Sequence, residues 1–492
     1  MDKKRPDNES DGIRRHIFDI GITFSATLVS TFLSFLLTII LARHFGATDL
    51  GIYRLALTSY GIIMLFVASA IPAAMIKYVA ECQNDCIKLN KLVSTGIIIA
   101  GIFGGICMIF LFFISDIVAE LLHAPGLSGL LKILVVIIPF SLFTGVLNGY
   151  LNGMRLMRPL AISTVFQSVM IISLSLLFIQ LNFGLQSIII SLVIASILNF
   201  LLLLYYVRIQ FTFEWNSFVD TSKLLLCFGI PVIAANFVGQ INSQLDNLFI
   251  GIYLTPADVG IYSIAWTLST FIWLLPSAIQ KITYPITSEL WSEQKKAELC
   301  HMINLTLKYT TIIMIFGGLF LVFFGKSIIG IIFTEQFSPA YIPLVILLIG
   351  TIIRGVVISI GSTVAGIGKP GIDFITTLIM CITWIFFDIT LIPIFGIIGT
   401  AVSATIALTI GTFSGLYYIK RYVSVEFDWK WYVKIFLFLV ASLLFYTIAS
   451  IAIIPHISGV ATLILFFCGA YNWFLTEQDK LFFYRVLHSV KG

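Results

Sequence analysis

The sequence predicts an all-α integral membrane protein with fourteen membrane-crossing helices, two lobes of six followed by two more. Three observations predict it. The 492-residue chain is 59% hydrophobic and only 11% charged, with a mean hydropathy of +1.04, more apolar surface than one soluble core can bury. Uncharged runs of the length needed to cross a bilayer core, roughly 20 residues for about 30 Å, fill it from end to end. Ten letters also occur twice in nearly the same form, DLGIYRLALT at 49–58 and DVGIYSIAWT at 258–267, 209 positions apart.

The runs give the spans in order. Ile20 to Ala42, Leu55 to Ile76, Leu92 to Ile114 and Ile133 to Met154 are spans 1 to 4. Pro159 to Val207, broken at Gln180 to Gly184, holds spans 5 and 6. Leu224 to Leu245, Val259 to Gln280 and Tyr309 to Gly325 are spans 7 to 9. Span 10 lies in Gln336 to Gly368, interrupted only by Arg354, and span 11 in Phe374 to Pro393, interrupted only by Asp388. Span 12 follows to Ile419, and Ile435 to Thr476, divided near Pro455, supplies spans 13 and 14. Barrel strands would alternate with period two; these runs do not.

The amino-terminal tail, 1–16, is hydrophilic, and span 1 reads as retained rather than cleaved. Of the 29 Lys and Arg, 24 fall in the tail and even-numbered loops and three (Arg43, Arg54, Lys326) in odd ones. That asymmetry predicts cytoplasmic termini, an even number of spans and a place in the cell membrane. The seven cysteines imply no disulfide framework. Cys82 and Cys86 lack the neighbours that would complete a zinc site, so no metal or cofactor is expected, nor a nucleic-acid partner.

A duplication should recur elsewhere in register, and it does. FDIGI at Phe18 answers FGIPV at Phe228, IPAAMIK at Ile71 answers LPSAIQK at Leu275, NGMRLMRP around Gly153 answers AGIGKP around Gly366, and NFGLQS at Asn182 answers IFGIIG at Ile394. Span 1 then corresponds to span 7 and span 6 to span 12, and because six is even both copies run in the same direction. The expected organisation is an amino-terminal lobe at 17–207, a cytoplasmic connector at 208–222, a second lobe at 223–420, spans 13 and 14 within 432–476, and an amphipathic cytoplasmic tail at 477–492. Two such lobes around a cleft can open it alternately to either side; the plainer reading is a larger bundle.

Charges and amides inside the bilayer mark where water or substrate enters, since a charge at its centre costs roughly 2.5 to 3.5 kcal/mol on insertion scales. Arg354 reads as a cavity cation, or else a structural ion pair. Asp388 should lie about 10 Å from its level, too far for a direct pair at 1.5 Å per residue. Span 7 carries Asn236, Gln240, Ser243 and Asn247 on one helical face, with Asn242 and Asp246 beside it. Thr23, Thr27, Ser30 and Ser34 repeat the spacing in span 1, where a packing seam explains them as well. Arg43 and Arg54 bracket the first outer loop, and Lys132 begins span 4 on the same side. With Arg354 they would line a cationic cleft for a phosphate, or simply sit solvated at its rim. Lys77 and Lys281 occupy matched places at the cytoplasmic mouth.

LARHFGATDLGIYRLA, FGIPVIAANFVGQINSQLDNLFIG, ADVGIYSIAWTLS, TYPITSELW and AGIGKPGIDF…LIPIFGIIGTAVSATIA resemble, in that order, segments of Wzx-type polysaccharide flippases. These belong to the multidrug/oligosaccharidyl-lipid/polysaccharide exporter superfamily. The resemblance covers about residues 17 to 420. It implies a MATE-like bundle that turns over a polyprenyl-(pyro)phosphate-linked oligosaccharide from the cytoplasmic to the outer leaflet by alternating access. It also implies a cationic cavity that meets the lipid phosphate, the role open to Arg43, Arg54 and Arg354. The expected partners are that substrate, membrane lipids and glycan-assembly enzymes, with the protein a monomer and not an enzyme. Asp388 stands where an amide or small polar residue is expected. The alternative is a cation-coupled multidrug antiporter of the same fold, with Asp246 or Asp388 as its coupling carboxylate.

Overall fold

The computed structural model describes residues 9–68, 70–208, 215–361, 363–369, 371–423, 425, 427–452 and 455–474. The expected amphipathic tail at 477–492 lies outside them, as do residues 1–8 of the amino-terminal tail and 209–214 of the connector. Helix dominates the described residues, and no strand occurs among them. Among the described residues, ten helices are long and apolar enough to cross a membrane, or up to twelve if each of two bent pairs is one span. The chain is therefore a multi-pass membrane protein with about ten to twelve such helices, where fourteen were expected. Part of the difference is that spans 1 and 2 join in one run, Glu9–Leu65, bent at Gly46.

The chain divides into two compact units, Met1–Gly260 and Ile261–Gly492. In the first, Glu9–Leu65 is followed by Ala70–Glu81, Cys86–Leu121, the bent pair Leu127–Leu134 and Ile137–Gly153, Met157–Gln180, Gln186–Val207, Trp215–Asn242, Leu245–Tyr253 and the start of Pro256–Phe271. Asp85 starts Cys86–Leu121 by accepting the Lys88 amide at 3.1 Å, satisfying one of the open donors of that helix end. Buried side chains around Met75, Ala100, Val146 and Leu203 form a core of this unit.

A second polar layer in this unit escaped the sequence reading. Ser163 donates to Asn199 Oδ1 at 2.9 Å, and the Asn199 amide donates to Gln167 at 3.3 Å. With Asn199 1% exposed and no water in hydrocarbon to replace these partners, the pairs hold spans 5 and 6 together. Asn199→Leu is expected to cost about 0.6 to 1.7 kcal/mol, the range of such bonds between membrane helices. The loss is read as a lower Tm in detergent without loss of insertion.

The second unit runs from the rest of Pro256–Phe271 through Leu274–Ser292, Lys296–Phe333, Tyr341–Ile358, Gly371–Phe395, Ile397–Val423, Trp429–Ala452 and Pro455–Gly469. Span 13 docks on span 9 through Phe323, which stacks on Tyr446 with centroids 4.2 Å apart, and on span 14 through Phe438, which stacks on Phe466 at 5.3 Å. Just before span 13, Lys308 donates to Asp428 at 3.1 Å. That ammonium, with the Trp431 amide, holds the Asp428 carboxyl below the usual carboxylate range.

Several of the matched segments carry similar backbone turns, each within its own unit. Gly184 and Gly396, matched by NFGLQS and IFGIIG, both adopt left-handed conformations with φ of 59° and 58°, which cost a residue without a β-carbon little. Arg155 and Gly368 also have positive φ (55° and 81°), as do His123 and Thr334 (50° and 95°). Gly153 packs against Val79, and Gly366 against Ser288, where a β-carbon would stand 2.8 and 3.3 Å from those side chains. Val79 and Ser288 are again 209 positions apart.

The opening pair of segments has its own geometry, within the first unit. A β-carbon on Gly51 would strike the Pro256 carbonyl oxygen and lie 3.1 Å from the Gly260 nitrogen. One on Gly260 would strike the Ala47 carbonyl oxygen and lie 3.1 Å from the Gly51 nitrogen. Ala47 and Pro256 are themselves 209 positions apart, so the two contacts are one contact and its mirror under the repeat. Gly51 and Gly260 thus lie backbone to backbone, and only glycine permits that distance.

Candidate functional site on the broken seventh span

Span 7 is not one helix. Trp215–Asn242 ends, Ser243 and Gln244 form a turn, and Leu245–Tyr253 resumes. The amides of Ser243 and Gln244 bond three residues back, to the carbonyls of Gln240 and Ile241 at 3.1 and 2.9 Å. The Ser243 hydroxyl also donates to the Gln240 carbonyl, at 2.6 Å. A side chain that takes a backbone acceptor competes with the helical ladder, which accounts for a break at this place. The expected single polar face is thus interrupted: Asn236 and Gln240 are exposed on the first segment, Ser243 is exposed in the turn, and Asn247 sits on the second.

Around the break a polar seam runs along span 2. Asn247 donates to the Thr58 hydroxyl at 3.3 Å. One turn earlier, Arg54 Nη2 donates to the Thr38 hydroxyl, also at 3.3 Å. Thr38 and Arg54 each stand eight residues from Gly46, about 12 Å along their helices at 1.5 Å per residue, so the bend at Gly46 brings them to one level. Arg43 and Arg54 were expected to bracket a loop. Instead the bend is confined to Gly46, where φ is 80° and ψ −171°; Arg43 is exposed beside it and Arg54 is half-buried two turns inside the helix.

Gly61 leaves room for the Gln244 amide, whose nitrogen would stand 2.9 Å from a β-carbon there. Asn242 is 6% exposed and Asp246 7%. Neither polar atom of the Asn242 side chain has a hydrogen-bond partner, nor does Arg54 Nε. Buried amides and guanidinium groups ordinarily find partners, so these atoms are open acceptors and donors at the seam. In span 1, by contrast, Thr27 and Thr31 donate to carbonyls four residues back, and Ser30 pairs with Ser168 at 2.6 Å. The hydroxyl stripe there is a packing seam.

The other sequence-selected residues lie elsewhere. Lys132 donates to both oxygens of Asp116 at 2.9 Å, and Ser128 donates to the same carboxylate, so its charge is answered locally. Lys77 is exposed, with Nζ 4.6 Å from the Phe228 ring centre and 4.8 Å from that of Tyr78, a cation–π seat. Lys281 is exposed at the matched place.

In the second unit, Arg354 is half-buried on span 10, next to Gly355, where a β-carbon would stand 3.0 Å from the Trp273 ring. Trp273 donates to the Thr351 carbonyl at 2.8 Å and meets Trp266 edge-on, with Trp266 also against Trp384. The carboxylate whose field acts on Arg354 is Asp373, at the start of span 11. Asp388 is fully buried, 0% exposed, in the middle of that span. Thr38, Thr58, Gln244 and Asp373 escaped the sequence reading; of these only Gln244, beside Ser243, stood next to a selected residue.

An all-helical multi-pass membrane protein with polar and cationic side chains at helix breaks is built as a transporter is built. Residues 18–291 match the family described as "Polysaccharide biosynthesis protein", and the chain belongs to that family. It is 24% identical over 430 residues to the probable low-salt glycan biosynthesis flippase Agl15 of Haloferax volcanii, covering 83% of this chain and 84% of that protein. Its fold is similar to an inward closed conformation of the lipid II flippase MurJ, with a TM-score of 0.75 at 20% identity over 92% of this chain and 98% of that one. It is also similar to an inward-facing multidrug resistance MATE family transporter of the MOP superfamily, with a TM-score of 0.70 at 16% identity over 83% and 98%.

Proposed function

We propose that the chain is a flippase that moves a polyprenyl-(pyro)phosphate-linked oligosaccharide from the cytoplasmic to the outer leaflet of the cell membrane. The observation that carries this reading is the seam at the span 7 break, in a member of the polysaccharide biosynthesis family. There a guanidinium group, a buried amide with both polar atoms unpartnered and a hydroxyl–amide pair stand on adjacent helices. Arg54 suits a phosphate, which binds guanidinium through charge-assisted bonds, and the amides suit sugar hydroxyls. Arg354, in the second unit and within the field of Asp373, is a further candidate cation for the phosphate.

Movement follows from the duplication. The lobes at 17–207 and 223–420 take turns opening the seam to each side, with both termini cytoplasmic and spans 13 and 14 as an added pair. Fourteen spans result if the Glu9–Leu65 run counts as two, divided at Gly46, and broken span 7 as one more beyond the twelve. The protein works as a monomer and receives its substrate from glycan-assembly enzymes.

Arg354→Ala is the test. Loss of one charge-assisted bond, about 1.5 to 3 kcal/mol, should slow translocation roughly tenfold to a hundredfold. Lipid-linked sugar then collects in the inner leaflet while the protein still inserts. Normal surface glycan in that strain would remove Arg354 from the mechanism. The antiporter reading is tested by Asp246→Asn and Asp388→Asn, scored for drug resistance against glycan export: if either abolishes drug resistance, and removing the whole protein leaves glycan export unchanged, the flippase reading fails.

A further inference from the structure

Beside the polar seam the first unit carries an apolar groove. Its floor is Ser59, Leu122 and Leu248, and its walls are Ile62 and Phe66 of span 2 and Ile106 and Phe110 of span 3. The groove holds about 440 Å³, within the size range, roughly 300 to 1,000 Å³, of sites that bind small ligands. Its one hydroxyl is turned inward, since Ser59 donates to the Leu55 carbonyl at 2.9 Å. Phe66, Ile106 and Phe110 are 60%, 58% and 56% exposed, and Phe66 meets the Phe237 ring on one side with centres 5.2 Å apart, so the walls present large apolar side chains that this unit leaves mostly uncovered.

The position of the groove says what it takes. Ser59 and Leu248 are the chain neighbours of Thr58 and Asn247, the hydroxyl–amide pair of the seam. Apolar floor and polar pair are thus two sides of the same helix contact, held by one hydrogen bond of 3.3 Å. Close packing fixes that contact: a β-carbon on Gly251 would lie 2.7 Å from Leu55 and 3.1 Å from Leu122. A ligand spanning both sides has a charged, hydroxyl-rich head and a long hydrocarbon tail. A larger trough of about 960 Å³ between spans 1 and 5 is apolar too, but none of Arg54, Thr58 or Asn247 borders it.

We propose that the groove between spans 2 and 3 seats the first isoprene units of the substrate's polyprenyl chain while its phosphate lies against Arg54. The proposal rests on the flippase reading and adds where the tail goes. Binding of the tail here leaves the rest of the chain in lipid and spares it from crossing the polar seam. It also makes the site selective for a branched, unsaturated chain over straight acyl chains, because Phe66, Phe110 and the branched residues at 62 and 106 offer an uneven wall.

The experiment uses the full-length protein in vesicles of phosphatidylcholine doped with undecaprenyl phosphate or, separately, dipalmitoyl phosphatidic acid at equal mole fraction. A benzophenone amino acid replaces Ile106, and the cross-linked lipid is identified by mass. The expected result is at least tenfold enrichment of the undecaprenyl lipid over its mole fraction, none for the phosphatidic acid, and loss of the enrichment in Leu248→Trp. Cross-linking of every lipid in proportion to its abundance overturns the proposal and marks the groove as filled by bulk lipid.

Affinity of undecaprenyl phosphate for the purified protein, with no label, separates this outcome from failure of the functional reading. If Arg54→Ala weakens binding at least tenfold and neither Leu248→Trp nor Ile62→Trp does, the groove proposal falls and the flippase reading stands. If the unaltered protein shows no selective binding, both fall.

Discussion

Gly51→Ala is expected to abolish translocation while leaving the protein in the membrane. The added methyl group would strike the Pro256 carbonyl oxygen, and both sides of that contact are backbone, so no side chain can swing aside. Overpacking of this kind costs about 1 to 3 kcal/mol where the structure yields, enough to shift a transporter whose conformations differ by a few kcal/mol almost wholly away from the one with this crossing formed. Because the contact is reciprocal, Gly260→Ala should do the same against Ala47, and the double substitution should be little worse than either alone. Gly105→Ala is the control: nothing lies within 4 Å of a β-carbon there, and alanine is a better helix former than glycine by roughly 0.5 to 1 kcal/mol. The check is initial flipping rate beside Tm for all four proteins. A Gly51→Ala protein that flips at the normal rate would show that the crossing has no part in the cycle.

Arg54→Ala should give the second largest effect. The guanidinium is half-buried on a membrane helix, with one bond of 3.3 Å to Thr38 and Nε without a partner. A charge kept in the bilayer with donors unused is costly, and a phosphate oxygen would complete its shell. Its removal should therefore leave folding unharmed or improved, yet lower the affinity for undecaprenyl phosphate about tenfold to a hundredfold, as expected of a charge-assisted bond of 1.5 to 3 kcal/mol. Arg54→Lys should restore only part of this, because an ammonium cannot offer two parallel donors. Equal binding by Arg54→Ala and the unaltered protein, measured at the same ionic strength, would place the phosphate elsewhere.

Much of the fold was legible because lipid imposes a simple rule on sequence: the runs from Leu92, Pro159, Tyr309 and Ile389 all became long apolar helices. One of the repeat matches was legible for another reason, since NFGLQS and IFGIIG mark the same positive-φ glycine turn twice. The sequence reading fails where the answer depends on what lies across a helix contact. Nothing in AELLHAP and IIFTEQF shows that His123 and Thr334 both have positive φ. Nothing along span 4 says that Asp116 takes the charge of Lys132.

The site divided in the same way. Span 7 was chosen for its amides, and those amides do gather at a break, but the break itself arises from Ser243 competing for a carbonyl, which periodicity alone does not reveal. The sequence reading set Asp388 aside as a direct partner of Arg354 on height. The carboxylate whose field reaches that arginine is Asp373, at the start of span 11, whereas Asp388 is fully buried further along it.

The most direct test of the account is the leaflet distribution of a short lipid-linked sugar in proteoliposomes. A fluorescent saccharide on undecaprenyl phosphate is supplied to one face, and a membrane-impermeant glycosidase reads its arrival at the other. The account predicts arrival with the unaltered protein and none with Gly51→Ala or in protein-free vesicles. Arrival at the same rate in all three, or in none while drug efflux proceeds, would contradict it.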